Sequence, residues 1–147
     1  MIIWITGLPG SGKTTLAVNL KSILETKVSN NIVILDGDNI RKMFPYKISY
    51  SNEDRRKLAL FYSELALLID QSDCIVICSF VALFHSVHEH TRVNANDYFE
   101  IFLDPPYCSK LRCTNITIFA CEKSHHVFPP KKIHAFFDLL PLYFLGY

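Results

Sequence analysis

The chain has 147 residues and a mass of 16.9 kDa, enough for one hydrophobic core and too short for two ordinary domains. Half of the residues are hydrophobic and 20% are charged, with a net charge of +1 and a mean hydropathy of +0.19. That balance excludes disorder and a strongly basic nucleic-acid surface. No apolar run reaches the roughly 18 residues of a membrane span, and no basic segment precedes the apolar start. The five cysteines are an odd number, so the reading is a cytoplasmic protein with reduced thiols, no membrane and no nucleic acid among its partners.

Residues 1–6 are a short apolar run stopped by glycine and read as a buried strand. Over residues 14–27, Leu16, Ala17, Leu20 and Leu24 recur at helical spacing. Between the two, Gly7, Gly10 and Gly12, three of only five glycines, fall within six residues. The segment Gly7-Leu8-Pro9-Gly10-Ser11-Gly12-Lys13-Thr14 meets G-x-x-x-x-G-K-[ST] at every fixed position, in the strand-to-helix context the motif requires. Glycines let backbone amides turn toward phosphate oxygens, and the helix start adds the positive end of its dipole. Lys13 then bridges the β- and γ-phosphates, Thr14 is the candidate Mg²⁺ ligand, and Thr15 extends the cradle. This is the loop of a P-loop NTPase, with ATP and Mg²⁺ as the implied cofactors.

Residues 31–35 form a second apolar run, followed by Asp36-Gly37-Asp38-Asn39-Ile40-Arg41. Open α/β sheets bind ligands at the carboxyl ends of their strands, so two carboxylates and a guanidinium stand where a γ-phosphate and a second substrate meet. Asp38 is a candidate to accept a hydroxyl proton or to hold a metal-bound water, and Arg41 to clamp an anion. An N-cap role for Asp36 or Asp38 is an equal alternative. Ser51-Asn52-Glu53-Asp54 has the form of a capping box, and Leu58, Phe61, Tyr62, Leu65, Leu68 and Ile69 follow at helix spacing. Arg55 extends that stripe and so faces the cleft; the alternative is an exposed member of an Arg-Arg-Lys run. Residues 74–78 and 99–103 read as the third and fourth strands, the third ending at Ser79, with a short helix marked by Phe84, Val87, His88 and Thr91 between them. The alternation predicts a three-layer, doubly wound α/β fold with a mostly parallel sheet.

The chain changes character after residue 106, dividing into a P-loop core over residues 1–106 and an atypical tail over residues 107–147. The tail holds three of the five cysteines, eight of the aromatic residues and one glycine. Residues 116–121 read as a strand and 133–142 as a helix, without capping or turn signals. Core packing, a homodimer contact or misfolding would each account for its greasy end. Cys108, Cys113, Cys121 and His125-His126 lack the tight pairing of a zinc site. His85, His88 and His90 share a helix with no two of them four apart, which favours a solvated face over a metal.

The segments GLPGSGKTT, LDGDNIR, YSNEDR, ICSFVALF and YFEIFLDPP, in this order, resemble the adenylylsulfate kinase family over about residues 1–106. The resemblance implies ATP-dependent phosphorylation of the 3′-hydroxyl of adenylyl sulfate, a step of sulfate activation, with Mg²⁺ as cofactor. Carried over by position, Gly7 to Thr14 hold the nucleotide phosphates, Asp36 and Asp38 lie at the transfer site, and Arg41 and Arg55 bind the adenylyl sulfate anion. Ser79 lies beside them, and Tyr50 and Phe84 sandwich the adenine. The chain departs from the family's pattern at Leu58, where asparagine is common, at Ala82 in the S-F-I-S-P-F segment, and at His88, often an arginine. Of the family's R-D-x-K-G-L-Y lid only Arg112 has a counterpart, Cys113 standing in the aspartate position, and the last strand is unaccounted for. A one-base shift in the coding sequence near codons 106–112 is one hypothesis for the tail; if neither other frame encodes an R-D-x-K-G segment downstream, it fails.

Overall fold

The computed structural model describes residues 1–28, 31–45, 49–81 and 84–103, together with the backbone of residues 104 and 115–120. Five strands, β1 (Ile2–Gly7), β2 (Ile32–Asp36), β3 (Ile75–Ser79), β4 (Tyr98–Asp104) and β5 (Asn115–Ala120), form one sheet in the order β2-β3-β1-β4-β5. Four helices accompany them among the described residues: α1 (Lys13–Lys27), α2 (Gly37–Met43), α3 (Asn52–Asp70) and α4 (His85–Asn94). β1 to β4 are mutually parallel, as the alternating pattern predicts, and β5 is antiparallel to β4. The strand read over residues 116–121 is present as the edge strand β5, paired from Phe99↔Ala120 to Asp104↔Asn115.

The central strand β1 is buried along its whole length, and its alternating side chains feed two separate cores. Ile3 and Ile5 pack with Leu16, Ala17, Leu20 and Leu24 of α1, together with Ile77, Ile101 and Leu103. Ile2 and Trp4 pack on the opposite face with Leu58, Tyr62, Ala66 and Leu67 of α3, Ile40 of α2 and Phe80. Helices on both faces thus make three layers, and a parallel sheet covered on both sides needs the continuous apolar runs seen in the sequence.

β1, β2, β3 and β4 each run one residue beyond the apolar segment that identified them, ending at Gly7, Asp36, Ser79 and Asp104. The ladder pairs Asp36 with Ser79, and Gly7 with Leu103. The candidate site residues are therefore strand ends whose backbone is fixed by the sheet. α2, over a segment with no helical period in the sequence, is a seven-residue helix.

The histidine reading needs correction. His88 is buried, its Nδ1 3.3 Å from Glu100 Oε1 and 3.2 Å from the Tyr98 hydroxyl, while His90 Nε2 lies 2.7 Å from Glu64. The α4 stripe turns His88 inward beside Val87 and Thr91, so the histidines do not share a solvated face. Among the described residues no group of three His, Cys, Asp or Glu side chains could hold a metal ion, and no helix is long and apolar enough to cross a membrane. The helix expected over residues 133–142, the cysteines and histidines of the tail, Arg112 and Ala82 lie outside the described residues.

Candidate active site

At the carboxyl end of β1 the chain turns back on itself within five residues before α1 begins. Gly7 has φ +151°, and a Cβ there would stand 2.5 Å from the Leu103 carbonyl oxygen and 2.8 Å from Ser11 Oγ, so only glycine fits. The loop closes with Ser11 N–H donating to the Leu8 carbonyl at 3.1 Å. α1 has Gly12 as its N-cap, with no side-chain cap and no acidic residue in its first turn. Its leading amides and dipole are thus left to an anion.

Lys13 folds over this loop, its Nζ donating to the Gly7 carbonyl at 3.0 Å, the Leu8 carbonyl at 2.6 Å and Ser11 Oγ at 3.4 Å. Partial burial lowers the Lys13 pKa from its ordinary value, opposed by the negative charges of Asp38 and Asp36. Those two carboxylates therefore act on the same space as the lysine. Thr14 Oγ1 donates to Asp36 Oδ2 at 2.8 Å, and Asp36 Oδ1 accepts from the amides of Asp38 at 3.1 Å and Asn39 at 3.2 Å. Asp36 is thus the N-cap of α2 and the tie from β2 to the phosphate loop. Asp38, in the first turn of α2, is exposed, and its carboxylate has no partner among the described residues. Thr14 and Asp36 bring hard oxygen donors to the mouth of the loop, a donor set that suits Mg²⁺.

Arg41 and Arg55, from α2 and the first turn of α3, converge on one exposed ring: their guanidinium carbons lie 4.4 and 5.7 Å from the Tyr50 centroid. Neither pairs with a carboxylate among the described residues. Arg55 is half-buried, as its place on the stripe predicts, and is held there by the cap of α3. Ser51 Oγ accepts from Asp54 N–H at 3.1 Å, while Ser49 accepts from Ser51 N–H at 3.2 Å and donates to the Asp54 carboxylate.

Phe84 is the N-cap of α4, and the two guanidiniums pack on the Tyr50 ring. Ser79 is 4% exposed, and its Oγ has no hydrogen-bond partner among the described residues. Leu58, on the buried stripe of α3 as the sequence predicts, is a core residue packed with Ile40, Tyr62 and Phe80. Tyr62 was visible only as a member of the α3 stripe, yet its hydroxyl donates to the Gly37 carbonyl at 3.1 Å. Its spacing from Arg55 points the ring to the cleft, but the partner lies 25 residues upstream.

A family model described as adenylylsulphate kinase matches residues 1–115. A probable adenylyl-sulfate kinase of Pseudomonas aeruginosa is 33% identical over 105 residues, which is 71% of this chain and 49% of that protein. Cytidine diphosphoramidate kinase of Campylobacter jejuni is 32% identical over 103 residues, 70% of this chain and 59% of that one. The chain thus spans about half the length of the curated relatives it matches. Among solved structures, the Mycobacterium tuberculosis APS kinase in complex with AMPPNP and APS superposes with a TM-score of 0.61 at 28% identity, over 69% of this chain and 60% of that one.

Proposed function

The chain belongs to the adenylylsulphate kinase family, and from that premise we propose that it is an ATP-dependent phosphotransferase acting on the 3′-hydroxyl of adenylyl sulfate, yielding 3′-phosphoadenylyl sulfate and ADP. One observation carries the reading: the phosphate loop, Lys13, Asp36 and Asp38 meet at one end of the sheet, and Arg41 and Arg55, which have no carboxylate partner among the described residues, share the Tyr50 ring.

In this reading the amides of residues 7–13 and Thr15 hold the nucleotide phosphates. Lys13 exchanges its carbonyl partners for the β- and γ-phosphate oxygens. Thr14 and Asp36 supply oxygen ligands for Mg²⁺, which when bound neutralises charge on those phosphates. Arg41 and Arg55 hold the acceptor's anionic group bidentately, and Tyr50 offers its exposed face to the base. Asp38, whose carboxylate has no hydrogen-bond partner among the described residues, takes the proton as the acceptor O–H bond breaks, the new O–P bond forms and the bond to the ADP oxygen is released. Ser79 supports the end of β3 behind Asp36, and Phe84 sets the start of α4.

A second acceptor class is favoured by one feature, Leu58 in the position where the family commonly has asparagine, a side chain that can supply no hydrogen bond to the acceptor. The relative named for cytidine diphosphoramidate makes a cytidine-linked acceptor its concrete form. Isothermal titration with Mg²⁺–nucleotide and with adenylyl sulfate separately, followed by acceptor-dependent ADP release, decides. Binding of both with ADP formed only on addition of adenylyl sulfate is the expected result. ADP formed only with a cytidine diphosphoramidate acceptor transfers the assignment to that class, and nucleotide binding without turnover on any acceptor leaves a nucleotide-binding protein.

A further inference from the structure

Asp38 can act only if its backbone is held, because its carboxylate has no side-chain partner among the described residues. The peptide unit that carries it, between Gly37 and Asp38, is gripped at both polar atoms. Its N–H is bound by Asp36 Oδ1 at 3.1 Å, and its carbonyl oxygen by the Tyr62 hydroxyl at 3.1 Å.

Tyr62 is fixed in turn. Its ring stacks on Phe80 with centroids 4.3 Å apart and planes within 6°, and Phe80 stands edge-on to Trp4 of the central strand at 5.2 Å. The same Phe80 ring fills the space beside Gly37, where a Cβ would come within 3.1 Å of Phe80 Cδ1. The Tyr62 hydroxyl, with its pKa pushed up to about 12 by burial and by the nearby acids against the pull of Arg41, keeps its proton and remains a donor at neutral pH.

We propose that Tyr62 is a positioning residue for phosphoryl transfer, its hydroxyl fixing the Asp36-Gly37-Asp38 turn so that the Asp38 carboxylate faces the acceptor hydroxyl. Asp36 joins one side of this peptide to Thr14 and the phosphate loop, while Tyr62 joins the other side to α3, the helix that carries Arg55. The nucleotide half and the acceptor half of the site are thereby tied through one peptide plane. Misplacement of a reacting group by a fraction of an ångström lowers the rate without loosening substrate binding in proportion.

The inference rests on the kinase reading, and two measurements on Tyr62→Phe, which keeps the ring and its stack, separate the two. Amide hydrogen exchange tests the hold without catalysis: faster exchange at Asp38 and Asn39 with the β1 and β3 amides unchanged is expected, and unchanged exchange at both overturns it. Steady-state kinetics test the role: kcat should fall by about three- to tenfold with the nucleotide KM unmoved, the scale of one lost hydrogen bond. In an Asp38→Asn background the same substitution should cost almost nothing further, because Tyr62 acts through Asp38. Losses that multiply in the double variant overturn the positioning role and leave Tyr62 a packing residue. A wild-type chain that phosphorylates no acceptor defeats the kinase reading, and the exchange experiment still decides the hold.

Discussion

Lys13 is satisfied by its own loop, with two carbonyls and a hydroxyl standing where phosphate oxygens would go, so nucleotide binding exchanges partners instead of creating them from nothing. Lys13→Ala should abolish turnover. Arg55 differs, because its charge rests on an exposed tyrosine and not on a carboxylate, and a second guanidinium shares the ring. An acceptor anion relieves that repulsion and forms charge-assisted hydrogen bonds worth about 1.5–3 kcal/mol. Arg55→Ala should therefore raise the acceptor KM by about tenfold or more while the nucleotide KM stays within about twofold. An unchanged acceptor KM would remove Arg55 from the acceptor's anion site. The phosphate loop was legible because its chemistry is local: eight consecutive letters specify the turn, the amides and the lysine. The partner of Gly37 was not, since nothing in the letters around residue 37 indicates a tyrosine hydroxyl brought from 25 residues away.

α2 and α3 show why one helix could be read from sequence and the other could not. α3 spans 19 residues, a period long enough to stand out, though its buried stripe runs through Leu58, Tyr62, Ala66 and Leu67 while Phe61 and Leu68, read as members of it, are exposed. α2 has seven residues, and Ile40 is its only buried one. It has no period to detect and is held chiefly by the carboxylate of Asp36 at its start. The start of α3 is held by a relay in which Ser51 caps Asp54 N–H while Ser49 joins the Asp54 carboxylate to Ser51 N–H. The capping box read from Ser51 and Asp54 is therefore half direct and half carried by Ser49. Ser51→Ala should cost about 1 kcal/mol, the usual loss for an N-cap. That lowers the urea midpoint and, because Arg55 sits in this first turn, raises the acceptor KM as well. If only the midpoint moves, the cap supports the helix without positioning its arginine.

At the scale of the molecule, the fold class followed from alternation alone, since apolar runs separated by amphipathic stretches admit few topologies besides a covered parallel sheet. What alternation could not supply was the polar seam between α4 and β4. His88 was grouped with His85 and His90 as a solvated face because no two of them are four apart, yet α4 docks with Val87, His88 and Thr91 inward. The seam joins His88 to the Tyr98 hydroxyl and to Glu100, while Arg92 reaches Glu100 Oε2 at 3.3 Å. Burial works to raise the Glu100 carboxyl, but the hydrogen bond and charge of His88, the charge of Arg92 and the Tyr98 hydroxyl outweigh it. The net effect holds the group below its ordinary value of 4.5. A carboxylate depressed by folding adds stability that is fully present above its unfolded value and is lost as pH falls through the folded one. The contribution of Glu100 is thus complete at neutral pH and fades below 4.5. Glu100→Gln should be less stable than the wild type at about pH 6, and the gap between their urea midpoints should narrow progressively as the pH is taken below 4.5. A gap that stays constant over that interval would mean that Glu100 stabilises the α4–β4 seam by shape and hydrogen bonding, with its charge contributing nothing.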